Sequence, residues 1–140
     1  MKTRSNRNKH GKTRKNTTQI KNHLAEVFLG LLNSIKLYHW KTYSFSQHKA
    51  TDELYSKMNE HMDTFIEILL GKDQSRIPDF NIRIPLVNDT SFKSRILKYR
   101  EFLIDMSNTF DKERDTDLLN VRDEILGDVN QFLYLLSFNK

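Results

Sequence analysis

His48 and Asp52 stand four residues apart, and Asp63 and Glu67 repeat that spacing further along the same segment. Imidazole and carboxylate both bind metals, and an i,i+4 pair on a helix is close enough to share one cation. With His48 set at zero and about 100° per residue, Asp52 falls at roughly 40°, Asp63 at roughly 60° and Glu67 at roughly 100°. Leu54, Met58, Met62, Phe65 and Leu69 fall at roughly 240–320°, on the other side. One face of this helix is for burial and the other for chemistry. Eleven residues from Asp52 to Asp63 separate the pairs by roughly 16 Å, far beyond metal–ligand bonds of about 2.0–2.6 Å. No single ion can use both pairs of one helix. A twofold axis midway between them removes the difficulty. Two antiparallel copies would set His48 and Asp52 of one opposite Asp63 and Glu67 of the other, giving two equivalent sites per dimer. His39 is placed to add a nitrogen ligand. Mixed imidazole and carboxylate ligands suit iron, manganese or zinc better than calcium.

The chain that must position these groups has 140 residues, enough for one ordinary domain. Nine Phe, five Tyr and one Trp can build a core, whereas two Pro and four Gly are too few for a turn-rich all-β fold. Cysteine is absent, which excludes disulfide scaffolds, Cys-containing zinc sites and thiol nucleophiles together. No apolar run approaches the ~20 residues that span a bilayer, and the first twenty residues lack an apolar signal core. The expectation is an intracellular protein without a membrane partner, in cytoplasm, nucleoid or nucleus or packaged in a virion, and not secreted.

Four periodic segments follow one another. Leu24, Phe28, Leu31, Ile35 and Tyr38 mark a first helix from about Thr17 to Lys41. Ser44 or Ser46 can cap a second, from about Gln47 to Leu70, with Gly71 placed to end it. Residues 72–89 hold Pro78 and Pro85 and read as extended. A third helix starts near Thr90 or Ser91, and a fourth near Asp115 or Thr116 after a polar connector at 111–115. Two short-linked antiparallel pairs joined by one long crossover make an all-α, ferritin-like four-helix bundle over 17–140.

Residues 1–16 have almost nothing to bury and read as a disordered tail. Lys2, Arg4, Arg7, Lys9, Lys12, Arg14 and Lys15 fall within it, and no acidic residue precedes Lys21. After Lys21 the chain carries fifteen basic and eighteen acidic residues. A basic arm on an acidic body points to nucleic acid, and an arm without aromatics reads phosphates rather than bases.

These residues resemble the Dps family, the mini-ferritins named as DNA-binding proteins from starved cells. The resemblance rests on His39-Trp40 ending the first helix, His48-x-x-x-Asp52 opening the second and Asp63-x-x-x-Glu67 following. It implies that His39, His48, Asp52, Asp63 and Glu67 are ferroxidase ligands shared between subunits. The cofactor and substrate would be iron, and the reaction Fe(II) oxidation by hydrogen peroxide or oxygen. It further implies iron storage or detoxification in a hollow homo-dodecamer, and DNA binding through the basic tail. The sequence departs from the family in a shorter loop between His39 and His48, in Ile68 where an Arg is usual, and in a crossover lacking a short helix. The alternative from another class is a nucleic-acid-compacting protein whose metal site is structural or vestigial. Trp40 beside the site reads as core packing and His61, at roughly 220°, as surface. Asp111, Glu113, Asp115 and Asp117 read either as a solvated turn or, by the resemblance, as the lining of an iron-entry pore.

Overall fold

The computed structural model describes residues 9–84 and 88–138, with side chains from Thr18 onward and not that of Asp89. Its elements are α1 (Lys9–Lys41), α2 (Phe45–Gly71), α3 (Asp89–Thr109) and α4 (Thr116–Leu136). No strand occurs among the described residues. The expected apolar stripes are the ones buried. Leu24, Phe28, Leu31, Ile35 and Tyr38 of α1 meet Leu54, Met58, Met62, Phe65 and Leu69 of α2 in one core. Phe92, Ile96, Leu103 and Met106 of α3 and Leu118, Ile125, Val129 and Phe132 of α4 complete it.

Side-chain contacts fix the direction of each neighbouring pair. Tyr38 donates to Gln47 at one end of α1 and α2, and Lys21 pairs with Asp73 at the other. Across α1 and α3, the Tyr38 ring stacks on Phe92 with centroids 3.9 Å apart, and His23 meets Phe102 edge-on at 5.6 Å. Lys57 reaches Gln131 at 3.4 Å and Lys72 reaches Asp117 at 3.1 Å, so α2 and α4 also run in opposite senses. Between α3 and α4, Arg100 donates to Asn130 at 3.3 Å. The buried Arg122 donates to the Leu103 carbonyl at 2.8 Å and to Asp123 at 2.8 Å, which keeps its charge partnered inside the seam.

Three boundaries differ from the sequence reading. The α1 backbone is already helical from Lys9 rather than from Thr17. Residues 9–16 contain no proline, and extending an existing helix adds one hydrogen bond per residue without a new nucleus. Only residues 1–8 of the expected disordered tail lie outside the described residues. Gly71 is the last residue of α2 and has no positive φ. The left-handed position is Gln74, at φ 57°. α3 begins one or two residues earlier than expected, at Asp89, and is capped by Asn88. Its side chain accepts from the Ser91 N–H at 2.8 Å, while Ser91 Oγ accepts from the Asn88 N–H at 3.0 Å, a reciprocal capping box.

Candidate metal centre

α1 ends on Lys41 and α2 begins on Phe45, so the chain reverses within three residues. Ser44 caps the new helix, accepting from the Gln47 N–H at 3.3 Å. This short reversal lays the His39 ring on the His48 ring, centroids 3.8 Å apart and planes 18° from parallel. Each Nδ1 then meets the other residue's backbone: His39 Nδ1 lies 2.8 Å from the His48 carbonyl, and His48 Nδ1 lies 2.9 Å from the His39 carbonyl. A carbonyl only accepts, so both Nδ1 atoms carry hydrogen. In the neutral rings the lone pair is therefore on Nε2. The buried Thr51 stands 3.1 Å from His39 Nδ1 and donates its own hydroxyl back to the Gln47 carbonyl at 2.8 Å. An imidazole held through Nδ1 by a backbone carbonyl, with Nε2 left as donor, is the arrangement that orients histidine toward a metal.

His48, Asp52, Asp63 and Glu67 are all exposed on the side of α2 away from its core stripe, and His39 is half-buried. Asp63 also borders a cleft of about 250 Å³ between α1 and α2, lined by Phe28, Leu29, Ile66 and, from the segment after α2, Phe80. The structure brings His39 and His48 together and leaves Asp63 and Glu67 further along the helix. Among the described residues no group of three or more His, Asp or Glu gathers closely enough to hold an ion.

Trp40 does not pack in the core. It is 70% exposed, because at about 100° per residue it falls roughly 160° from the middle of the core stripe of α1, on the opposite face. The Lys36 ammonium lies 5.8 Å from its ring. His61 is no free surface residue either. Its Nδ1 lies 2.8 Å from Asp128 and its Nε2 3.4 Å from Glu124, tying α2 to α4. The signal was present, since roughly 220° is the margin of the apolar arc, where a polar side chain meets the next helix.

The acidic group before α4 is held by local bonds. Asp111 accepts from the N–H groups of Arg114 (2.9 Å) and Glu113 (2.8 Å), and these bonds hold its carboxyl below the ordinary range. Lys72 reaches Asp115 at 3.4 Å and Asp117 at 3.1 Å. Its own pKa is raised, chiefly by the hydrogen bond to Asp117. Removal from water pushes Asp117 up, but the bonds from Lys72 and the Leu118 N–H carry it below its usual value. Glu113 is exposed. Of the basic residues, Lys2, Arg4 and Arg7 lie outside the described residues, and Lys9, Lys12, Arg14 and Lys15 are on the opening turns of α1.

Residues 39–136 match the family of unknown function DUF5856, and the chain belongs to that family. It is similar to an uncharacterized 14.6 kDa protein in the mobD-ri intergenic region of Enterobacteria phage T4. The two are 33% identical over 121 residues, covering 81% of this chain and 88% of the relative. No solved structure matches. The family match begins at His39 and takes in every candidate ligand, but not the basic N-terminal stretch. These findings overturn the resemblance to Dps and the placement in the ferritin-like superfamily that came with it, and they leave the dodecamer drawn from it without support. Two i,i+4 polar pairs on an amphipathic helix are short patterns that any exposed helix face can display. No helix among the described residues is long and apolar enough to cross a membrane.

Proposed function

We propose that two copies of this chain bind a first-row transition-metal ion, with Fe(II) as substrate and zinc or manganese as substitutes. Each site would take His39, His48 and Asp52 from one copy and Asp63 and Glu67 from the partner subunit. The observation that carries the reading is the reciprocal His39–His48 pairing, which engages both Nδ1 atoms and leaves the Nε2 lone pairs for another partner, with the exposed Asp52 one helical turn after His48. Neither half holds an ion alone, and the roughly 16 Å between them on one helix calls for a second copy. In the ferroxidase form of this reading, two Fe(II) ions each give one electron to hydrogen peroxide, which takes up two protons and leaves as water. The basic residues of 2–15 serve in this proposal as a sequence-independent DNA arm. A single long crossover between parallel α2 and α3 agrees with the antiparallel contacts of the other pairs.

A second reading has one observation in its favour. The His39–His48 clamp also ties the end of α1 to the start of α2, so a metal there could be structural in a nucleic-acid-compacting protein. Mixing variants separates the two. An Asp52→Ala chain and a Glu67→Ala chain should each lose Fe(II) oxidation, measured by ferric absorbance after peroxide addition. Random re-pairing places both lesions in one site of a heterodimer and none in the other, so about a quarter of the wild-type sites should return. Metal binding without any turnover in the wild-type chain supports the structural reading. Full Fe(II) binding by either variant alone, or a mixture no better than its parents, overturns the shared site.

A further inference from the structure

Six of the nine large hydrophobic side chains exposed among the described residues lie at one end of the molecule: Trp40, Tyr43, Phe45, Tyr134, Leu135 and Phe138. Trp40, Tyr43 and Phe45 flank the reversal between α1 and α2, and Tyr43 is fully exposed. Phe45, Lys49, Leu135 and Phe138 border a common cleft of about 500 Å³, so the end of α4 joins the same surface. Lysines are interleaved with these rings. The Lys36 ammonium is 5.8 Å from the Trp40 ring and 4.7 Å from that of Tyr55, and the Lys49 ammonium is 5.4 Å from the Phe45 ring. Lys41 is the last residue of α1. No acidic residue occurs from Val27 to Thr51.

A purely apolar patch would suit another apolar surface, but ammonium groups seated on exposed rings ask for a partner with negative charge and flat π faces. Single-stranded nucleic acid has both, whereas a duplex hides its base faces in the stack. We infer that the α1–α2 reversal, with Trp40, Tyr43 and Phe45 as stacking platforms and Lys36, Lys41 and Lys49 as phosphate partners, binds single-stranded DNA or RNA without reading its sequence. The surface is distinct from the basic N-terminal residues, which have no aromatic side chain among them and can meet phosphates only. It lies on the same reversal that carries His39 and His48, and it is tested without metal.

Trp40 is the sole tryptophan, so its emission reports on this surface alone. The full chain, with chelator present, is titrated with a ten-nucleotide oligothymidine and separately with a duplex of equal length. The single strand should quench Trp40, and the duplex should not. Three lysines on a single strand give a slope of log K against log salt of about −2. The Tyr43→Ala, Phe45→Ala chain, with unchanged circular dichroism, should bind the single strand about tenfold to a hundredfold more weakly. Equal quenching by duplex, undiminished affinity in the double variant, or oligonucleotide binding that leaves Trp40 unquenched overturns the inference. Trp40 emission that depends on protein concentration but not on oligonucleotide would mean that a second copy covers the surface, and would overturn it too.

Discussion

His39, His48 and His61 all sit at helix margins, and their ring nitrogens decide what each can do. The first two give Nδ1–H to backbone carbonyls and keep Nε2 for another partner. His61 faces a carboxylate with each nitrogen, so it has no nitrogen to offer a metal and acts as a strut between α2 and α4. Lys21 is a strut of another kind: it is 6% exposed, yet it pairs with Asp73 and donates to Ser75 at 2.9 Å. The Lys21 hydrogen bond, helped by Ser75, lowers the Asp73 pKa to about 2 from 3.8. A carboxyl whose folded pKa is depressed stabilises the fold above its unfolded pKa and ceases to do so as pH falls through the folded value. The contribution of Asp73 should therefore be complete above about pH 5 and be lost progressively as pH falls through about 2 toward about 1. Urea midpoints measured across that window should fall for the wild type. Asp73→Asn should start lower at neutral pH and lose the part of the fall due to this group; parallel curves for the two chains would refute the assignment.

At the scale of elements, periodicity carried the reading where one face is buried. The stripes of α1 and α2 were legible because their apolar residues recur at three and four and meet a core on one side only. The N-terminus of α1 was not, since residues 9–16 have no apolar stripe and helix extension there depends on the turns that follow. Trp40 reads as core packing beside the site, whereas its angle on α1 turns it to the open face. The i,i+4 pairs of the candidate site could be seen in the sequence. The ring-on-ring pairing of His39 and His48 could not, because it depends on a reversal of only three residues and on two backbone carbonyls. Caps belong to this scale as well. Asn88 and Ser91 satisfy each other's N–H groups at the start of α3, just where the chain leaves the proline-containing segment. Asn88→Ala should cost about 1 kcal/mol in chemical denaturation. Ser91→Ala added to it should cost less than in the wild type, since the pair acts as one unit. Full additivity would mean that the two bonds are independent.

For the whole molecule, the proposed half-sites, if complete only in a dimer, would make metal binding and association one linked equilibrium. If an ion needs ligands from two copies, it binds the dimer and not the monomer, and it must pull the chain toward dimer by the same factor that dimerisation raises its affinity. Redox-inert Co(II) tests this without turnover, since its visible bands report the coordination sphere. Sedimentation at low protein concentration should show mass rising with Co(II), and Co(II) affinity should rise with protein concentration. A hundredfold preference for the dimer corresponds to about 2.7 kcal/mol of linkage, large enough to shift the association curve by two decades. Glu67→Ala should weaken the metal-driven shift while leaving metal-free association as it was, because Glu67 is exposed and makes no part of the core. Asp52→Ala should do the same from the other half-site. If Co(II) instead bound with constant affinity across a hundredfold range of protein concentration, with no change in mass, the ion would be held within one copy. His39 and His48 would then be sharing it with something other than the second acidic pair.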